Sequence, residues 1–173
     1  MFQTLGERLT QRQRIELTVP SLKQAAVLVP LYRDQDQRLG IVFIQRTLHM
    51  SHHRGQISFP GGAMQAEDRD LEATALRETK EEIGLPPQVV RLLGRLDDVQ
   101  THSSQFRITP VVGEVPSRYP YSINPNEVAR IITSPISDLN CRQGARGREY
   151  WIDRTCVWGA TARILAKLLT LLE

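Results

Sequence analysis

The sequence predicts an α/β fold in which helices flank a mixed β-sheet. Three observations carry that expectation. Short runs rich in Val and Ile recur along the chain at strand length. Two segments near residues 71–83 and 158–172 read as helices, the first acidic and the second apolar. Strands and helices alternate without regular βαβ repeats, which argues against a doubly wound parallel sheet.

The elements follow in chain order. Leu5 to Arg14 reads as a short polar helix. Ala25–Leu31 and Leu39–Ile44 are apolar runs separated by the polar turn Arg33-Asp34-Gln35-Asp36-Gln37, so they read as paired strands. A loop holding His49, His52, His53 and Gly55 leads into the turn Phe59-Pro60-Gly61-Gly62. Leu71–Ile83 is a helix stopped by Gly84 and by Pro86-Pro87 beyond it. Strands are expected at Val89–Leu96, Ile108–Val115 and Val128–Thr133. Trp158–Leu172 closes the chain as an amphipathic helix, with Ile164, Leu168 and Leu172 four residues apart.

Composition narrows the function. A chain of 173 residues fits one domain, 1–173, and can bury a core without disulfides. No apolar run approaches the ~20 residues that span a bilayer, and the polar start lacks the apolar core of a secretory signal. Cys141 and Cys156 fit a reducing compartment and show no zinc spacing. A cytoplasmic protein without a membrane partner is the expectation. Of the 22 basic residues 19 are Arg, a side chain suited to forked phosphate contacts. They are scattered rather than gathered into a stripe, so no nucleic-acid partner is expected.

The segment Arg77-Glu78-Thr79-Lys80-Glu81-Glu82-Ile83-Gly84-Leu85 stands apart. On a helix Glu78, Glu81 and Glu82 fall at i, i+3 and i+4 and share a face, with Leu76 and Ile83 opposite to dock into a core. Like charges so placed repel. Arg77 relieves part of that by pairing with Glu81, and a divalent cation would relieve more, hard oxygen ligands being what Mg²⁺ prefers. Such an ion activates water and neutralises phosphate charge. The alternative is an acidic face turned to solvent.

Residues 59–85, FPGGAMQAEDRDLEATALRETKEEIGL, resemble the Nudix box, Gly-x5-Glu-x7-Arg-Glu-U-x-Glu-Glu-x-Gly-U with U apolar. Thr79 stands where an aliphatic is usual. Counting back from Arg77 puts Arg69 at the box glutamate, whereas counting on from Gly62 puts Asp68 there and leaves one extra residue. That expansion is similar to the branch of Nudix enzymes that hydrolyse coenzyme A. Residues 41–62, IVFIQRTLHMSHHRGQISFPGG, resemble the coenzyme A motif of that branch at Arg46, Gly55, Phe59, Pro60, Gly61 and Gly62. Thr47 replaces a Ser, and Ser51 stands where the motif has its second Arg. LLGRLDDV, ITPVVGEV, Asn126-Glu127-Val128 and VWGATARIL also look like this branch, so the resemblance spans most of residues 25–170.

The resemblance implies the Nudix α/β/α sandwich. It also implies a Mg²⁺- or Mn²⁺-dependent diphosphohydrolase that cuts coenzyme A or acyl-coenzyme A into 3′,5′-ADP and (acyl) 4′-phosphopantetheine. Glu78, Glu82 and Glu81 would hold metal, with the Gly62 carbonyl as a further ligand, and Glu81 and Glu82 would serve catalysis. Arg77 would orient the carboxylates, and Glu127 would be a general base or an extra ligand, against a reading as a solvent-facing strand residue. Arg46, Gly61 and Arg54 would bind substrate, Arg54 lying near the missing Arg. A small nucleotide is then the partner, and the chain a monomer or homodimer. Rival substrates are NADH, ADP-ribose, a nucleotide sugar or a nucleoside triphosphate; a Nudix protein that binds nucleotide without turnover is a further rival.

Other residues carry weaker signals. His49, His52, His53 and His102 could donate to phosphate oxygens or be exposed loop residues. Asp97-Asp98 reads as a turn rather than a metal pair. Trp151 and Trp158 read as core, and Arg142, Arg146 and Arg148, beside Gly144 and Gly147, as a surface loop.

Overall fold

The computed structural model describes residues 2–48, 55–101 and 105–173. The chain runs α1 (Phe2–Gln11), β1 (Lys23–Arg33), β2 (Leu39–Arg46), β3 (Ile57–Ser58), β4 (Gly61–Ala63) and α2 (Leu71–Ile83). It continues with β5 (Arg91–Arg95), β6 (Val99–Gln100), β7 (Phe106–Glu114) and β8 (Val128–Pro135). A small hairpin unit follows, β9 (Asn140–Gly144), β10 (Gly147–Ile152) and β11 (Thr155–Val157), and α3 (Gly159–Leu172) ends the chain. Among the described residues the strands form one sheet of eight and another of three.

β1 is the organising strand. It pairs antiparallel with β2 and β4 and parallel with β7. Both of its faces are buried, so its apolar run is nearly continuous, as expected of a central strand. Val29 and Leu31 face one layer with Ile41, Phe43, Phe59 and residues of α1 and α3. Ala26 and Leu28 face the other, with Val42, Ile44, Val111 and residues of α2. The result is a sheet with α2 on one face and α1 and α3 on the other, the mixed sandwich the sequence predicts. No helix of the described residues is long and apolar enough to cross a membrane.

Several boundaries and readings change. α1 starts three residues earlier than expected, because Phe2, Leu5 and Leu9 form its buried stripe. The Arg142, Arg146 and Arg148 segment is a β-hairpin, β9–β10, with Gly144 paired to Gly147. β9 is polar and exposed, so no alternation marked it as strand, whereas the end of β10 buries Tyr150 and Ile152 in alternation. Asp97-Asp98 is a clamp on the N-terminal segment. Asp97 accepts from Arg12 and the Ile15 N–H, and buried Asp98 accepts from Arg14, the Leu17 N–H and Thr109. Trp158 is not core but lines a cavity beside α3, and Trp151 is half-buried.

Candidate active site

α2 is set between two definite ends. Asp70 caps its start by accepting from the Ala73 N–H at 2.8 Å, and Gly84 closes it in the left-handed region at φ 68°. Ile83 is fully buried as expected, but Leu76 is only half-buried; Leu71, Ala75 and Thr79 supply the rest of the apolar face. Thr79 serves where an aliphatic is usual because its hydroxyl donates to the Ala75 carbonyl at 2.6 Å. That leaves the side chain nothing polar to offer its apolar neighbours.

The three glutamates share a face but not an environment. Their side chains are 1%, 14% and 54% exposed at Glu82, Glu78 and Glu81, so the face runs from core to solvent. Glu82 Oε2 accepts from the Gly61 N–H at 2.8 Å. Its Oε1 lies 3.1 Å from the Arg46 guanidinium, yet no hydrogen-bond donor is aligned on it. Burial pushes the Glu82 carboxyl up to about 7; Arg46 and the Gly61 N–H pull the other way, and Glu78 and Glu127 add repulsion. Burial also raises Glu78, partly offset by Arg77 and reinforced by Glu81 and Glu127.

β4 brings the backbone close to these carboxylates. A Cβ on Gly62 would sit 2.6 Å from the Glu78 carboxyl carbon, so any side chain there would have to displace that carboxylate. Gly61, at φ 153°, is packed against the Ala26 carbonyl and accepts at its own carbonyl from Arg46 at 3.0 Å. Gly61 and Arg46, expected to bind substrate, thus both contact Glu82 and also line the cavity beside α3.

Arg77 is the hub of the outer edge. It holds Asp68 through two hydrogen bonds of 2.8 and 2.9 Å, donates to the Ala63 carbonyl, and reaches Glu78 at 2.7 Å and Glu81 at 3.1 Å. Asp68 also accepts from the Gln65 N–H and from Thr74. Its carboxyl lies well below the usual range, chiefly because of Arg77. Arg69, the other candidate for the box position, is exposed and pairs with Asp70 instead.

Glu127 comes from outside the helix, in the turn just before β8. It is half-buried, and Asn124 donates to its Oε1 at 3.0 Å. The Asn124 N–H in turn donates to the Glu82 carbonyl, tying this loop to the end of α2. Asn124 escaped the sequence reading because its two partners lie 42 residues back and three residues on, a bracket no local pattern shows. Arg54, Ser51, His49, His52, His53 and His102 lie outside the described residues.

Among the described residues no three Asp, Glu, His or Cys side chains converge closely enough to hold a metal by themselves. The donor set nonetheless suits a hard cation. Glu82 presents a buried oxygen without a hydrogen-bond donor, Gly62 keeps the space beside Glu78 clear of a side chain, and Mg²⁺ retains several waters while binding one or two carboxylates.

On the far side of β4 lies a cavity of about 350 Å³, at the small end of ligand pockets. Its walls are mainly apolar and include Val27, Phe59, Phe106 and Trp158; Arg46, Gly61 and Gly62 belong to its rim as well as to the carboxylate site. Apart from Arg46 and Gly61, none of the cavity's lining residues was singled out from the sequence as a ligand contact. Their spacing, from β1 to α3, carries no local signature.

A family model for the NUDIX domain matches residues 22–154. The uncharacterized Nudix hydrolase NudL of Salmonella newport is 37% identical over 95% of this chain and 93% of its own length. Among solved structures, the NUDIX domain of Shewanella oneidensis NrtR, complexed with ADP ribose, aligns with TM-score 0.60 at 17% identity, over 96% of this chain and 97% of that one. A MutT/nudix family protein from Enterococcus faecalis aligns with TM-score 0.59 at 15% identity; the match covers 93% of this chain and 65% of that protein. The two structural likenesses concern the fold. With the domain match, the near full-length relative and the Arg77–Gly84 segment in place on α2, the chain belongs to the Nudix family and is a Nudix hydrolase.

Proposed function

We propose that the chain is a cytoplasmic coenzyme A diphosphatase, cutting coenzyme A or acyl-coenzyme A to 3′,5′-ADP and (acyl) 4′-phosphopantetheine. The observation that carries the reading is the shared wall. β4 has the Glu78 and Glu82 carboxylates on one side and a ligand-sized cavity on the other. A diphosphate at the rim would place one organic half of the substrate in that cavity. The resemblance of residues 41–62 to the coenzyme A motif supports the choice of substrate.

Glu78 and Glu82, with the Gly62 carbonyl and Glu81 at the solvent edge, would hold Mg²⁺ or Mn²⁺. When bound there, such an ion would neutralise diphosphate charge and lower the pKa of a coordinated water. Arg46 and the Gly61 N–H keep Glu82 in one orientation and temper its charge. Arg77, anchored by Asp68, fixes Glu78 and Glu81. Asn124 occupies Oε1 of Glu127, which leaves Oε2 to take the proton as water attacks phosphorus and the other phosphate departs.

Ser51, in place of the motif Arg, favours a second reading in which NADH or ADP-ribose is cleaved as well as coenzyme A. The likeness to an ADP-ribose-bound Nudix domain is compatible with it. Coenzyme A, NADH and ADP-ribose, each with and without Mg²⁺, test both readings in wild type and Glu82→Gln. Metal-dependent release of 3′,5′-ADP, lost in the variant, is expected. Comparable cleavage of ADP-ribose or NADH alongside coenzyme A would select the second reading, and no cleavage at all would sink both.

A further inference from the structure

At the cavity beside α3 stands a solvent-exposed cation, Arg163, with no anion beside it among the described residues. Arg163 lines it and makes one hydrogen bond, to the Gln100 carbonyl at 2.6 Å; no carboxylate of the described residues pairs with it. Although its side chain is exposed overall, desolvation by the cavity wall lowers its pKa. Arg46, the other cation on the lining, is engaged by Glu82 and the Gly61 carbonyl.

The surroundings add to this positive character. α3 starts in the cavity wall at Gly159, Ala160 and Thr161, with no acidic residue in its first turn and no side-chain cap, so its leading N–H groups contribute positive potential. Trp158 is fixed from outside by Arg146, whose guanidinium lies 4.6 Å from the ring centroid. Arg146 likewise has no carboxylate partner among the described residues. Ser58 contributes a buried hydroxyl without a hydrogen-bond partner.

A neutral chain such as the pantetheine arm would use the apolar walls and leave Arg163 unpaired. A purine nucleoside bearing a phosphate monoester would use both: its flat ring against Trp158 and Phe106, its anion at Arg163. We propose that this cavity binds the nucleoside half of the substrate and that Arg163 reads a third, non-scissile phosphate on it. The inference rests on the reading of the site as a diphosphatase. It assigns to α3 the phosphate recognition that Ser51, in place of the motif Arg, does not supply.

Two measurements on the full chain test it. The first compares kcat/KM for coenzyme A and 3′-dephospho-coenzyme A in wild type, Arg163→Gln and Arg163→Lys. Wild type is expected to favour coenzyme A by about tenfold to a hundredfold, the range of one charge-assisted hydrogen bond. Arg163→Gln should bring that ratio toward one, mainly through KM, and Arg163→Lys should restore part of it. The second is calorimetric binding of 3′,5′-ADP against 5′-AMP, which needs no turnover. Tighter binding of 3′,5′-ADP, lost in Arg163→Gln at unchanged Tm, would support the inference even if no diphosphate were cleaved. Equal binding of the two nucleotides, or an equal loss of both in the variant, would overturn it while leaving the diphosphatase reading to its own assay.

Discussion

At the scale of single residues, Glu82 is a carboxyl held in the core by one N–H and one guanidinium. In the metal-free protein it keeps its proton up to about pH 7, whereas an unfolded glutamate loses it near ~4.3. Between those values the folded state binds more protons, so stability is full below the lower value and declines as pH rises through the upper one. The raised Glu78 carboxyl acts with the same sign. In chelator, the Tm of wild type should therefore fall from pH 5 to pH 8 and that of Glu82→Gln should fall less; parallel curves would contradict the assignment. Glu82→Gln should also lower kcat by on the order of a hundredfold or more. The neighbouring glycines separate site from scaffold. Gly62→Ala meets the flexible end of Glu78 and should cut activity with little change in Tm, whereas Gly61→Ala meets the β1 backbone and should lower Tm by several degrees. A thermal scan with an activity assay distinguishes the two.

Elements show how the carboxylates are oriented. α2 is fixed at Asp70, at Gly84 and through the Arg77–Asp68 pair. Removing the cap with Asp70→Ala should cost about 1 kcal/mol and leave kcat nearly intact. Asp68→Ala frees Arg77 to swing between Glu78 and Glu81, so it should lower kcat well beyond its effect on Tm; comparable losses from both variants would deny Asp68 a part in orientation. Much of this element was legible in sequence, because helix period, Gly84 and the Arg-Glu-x-x-Glu-Glu run are local. The gradient from buried Glu82 to exposed Glu81 was not, since helical spacing places side chains on a face without saying what covers it. β9 stayed hidden for the opposite reason, being exposed along nearly its whole length and so leaving no period, and β10 alternates only over its last residues, where Tyr150 and Ile152 are buried.

For the whole molecule, the Val- and Ile-rich runs and three helical segments announced a mixed sheet flanked by helices, and the resemblance to the Nudix box implied the sandwich. The sequence said little about the N-terminal segment, whose attachment depends on Asp98, some eighty residues away. Asp98 is buried and answers Arg14, Thr109 and the Leu17 N–H. Asp98→Ala strands a partly buried guanidinium and should cost about 3 kcal/mol, read as a lower midpoint in urea, with KM for the nucleotide substrate near wild type. A KM shift as large as the stability loss would mean that the N-terminal segment reaches the site.

The parallel ladder between β1 and β7 has a consequence for how the molecule is made. Lys23 through Leu31 are matched to Phe106 through Glu114, partners 83 positions apart. A chain leaving the ribosome completes β2, β4 and α2 well before β7, the parallel neighbour of β1, exists, so the carboxylates wait on a half-built sheet. Closing so long a loop is an entropic barrier that is repaid only when the ladder forms. Refolding should accordingly run in milliseconds to seconds, with amide protection along β7 and its partner edge of β1 arriving in the last phase.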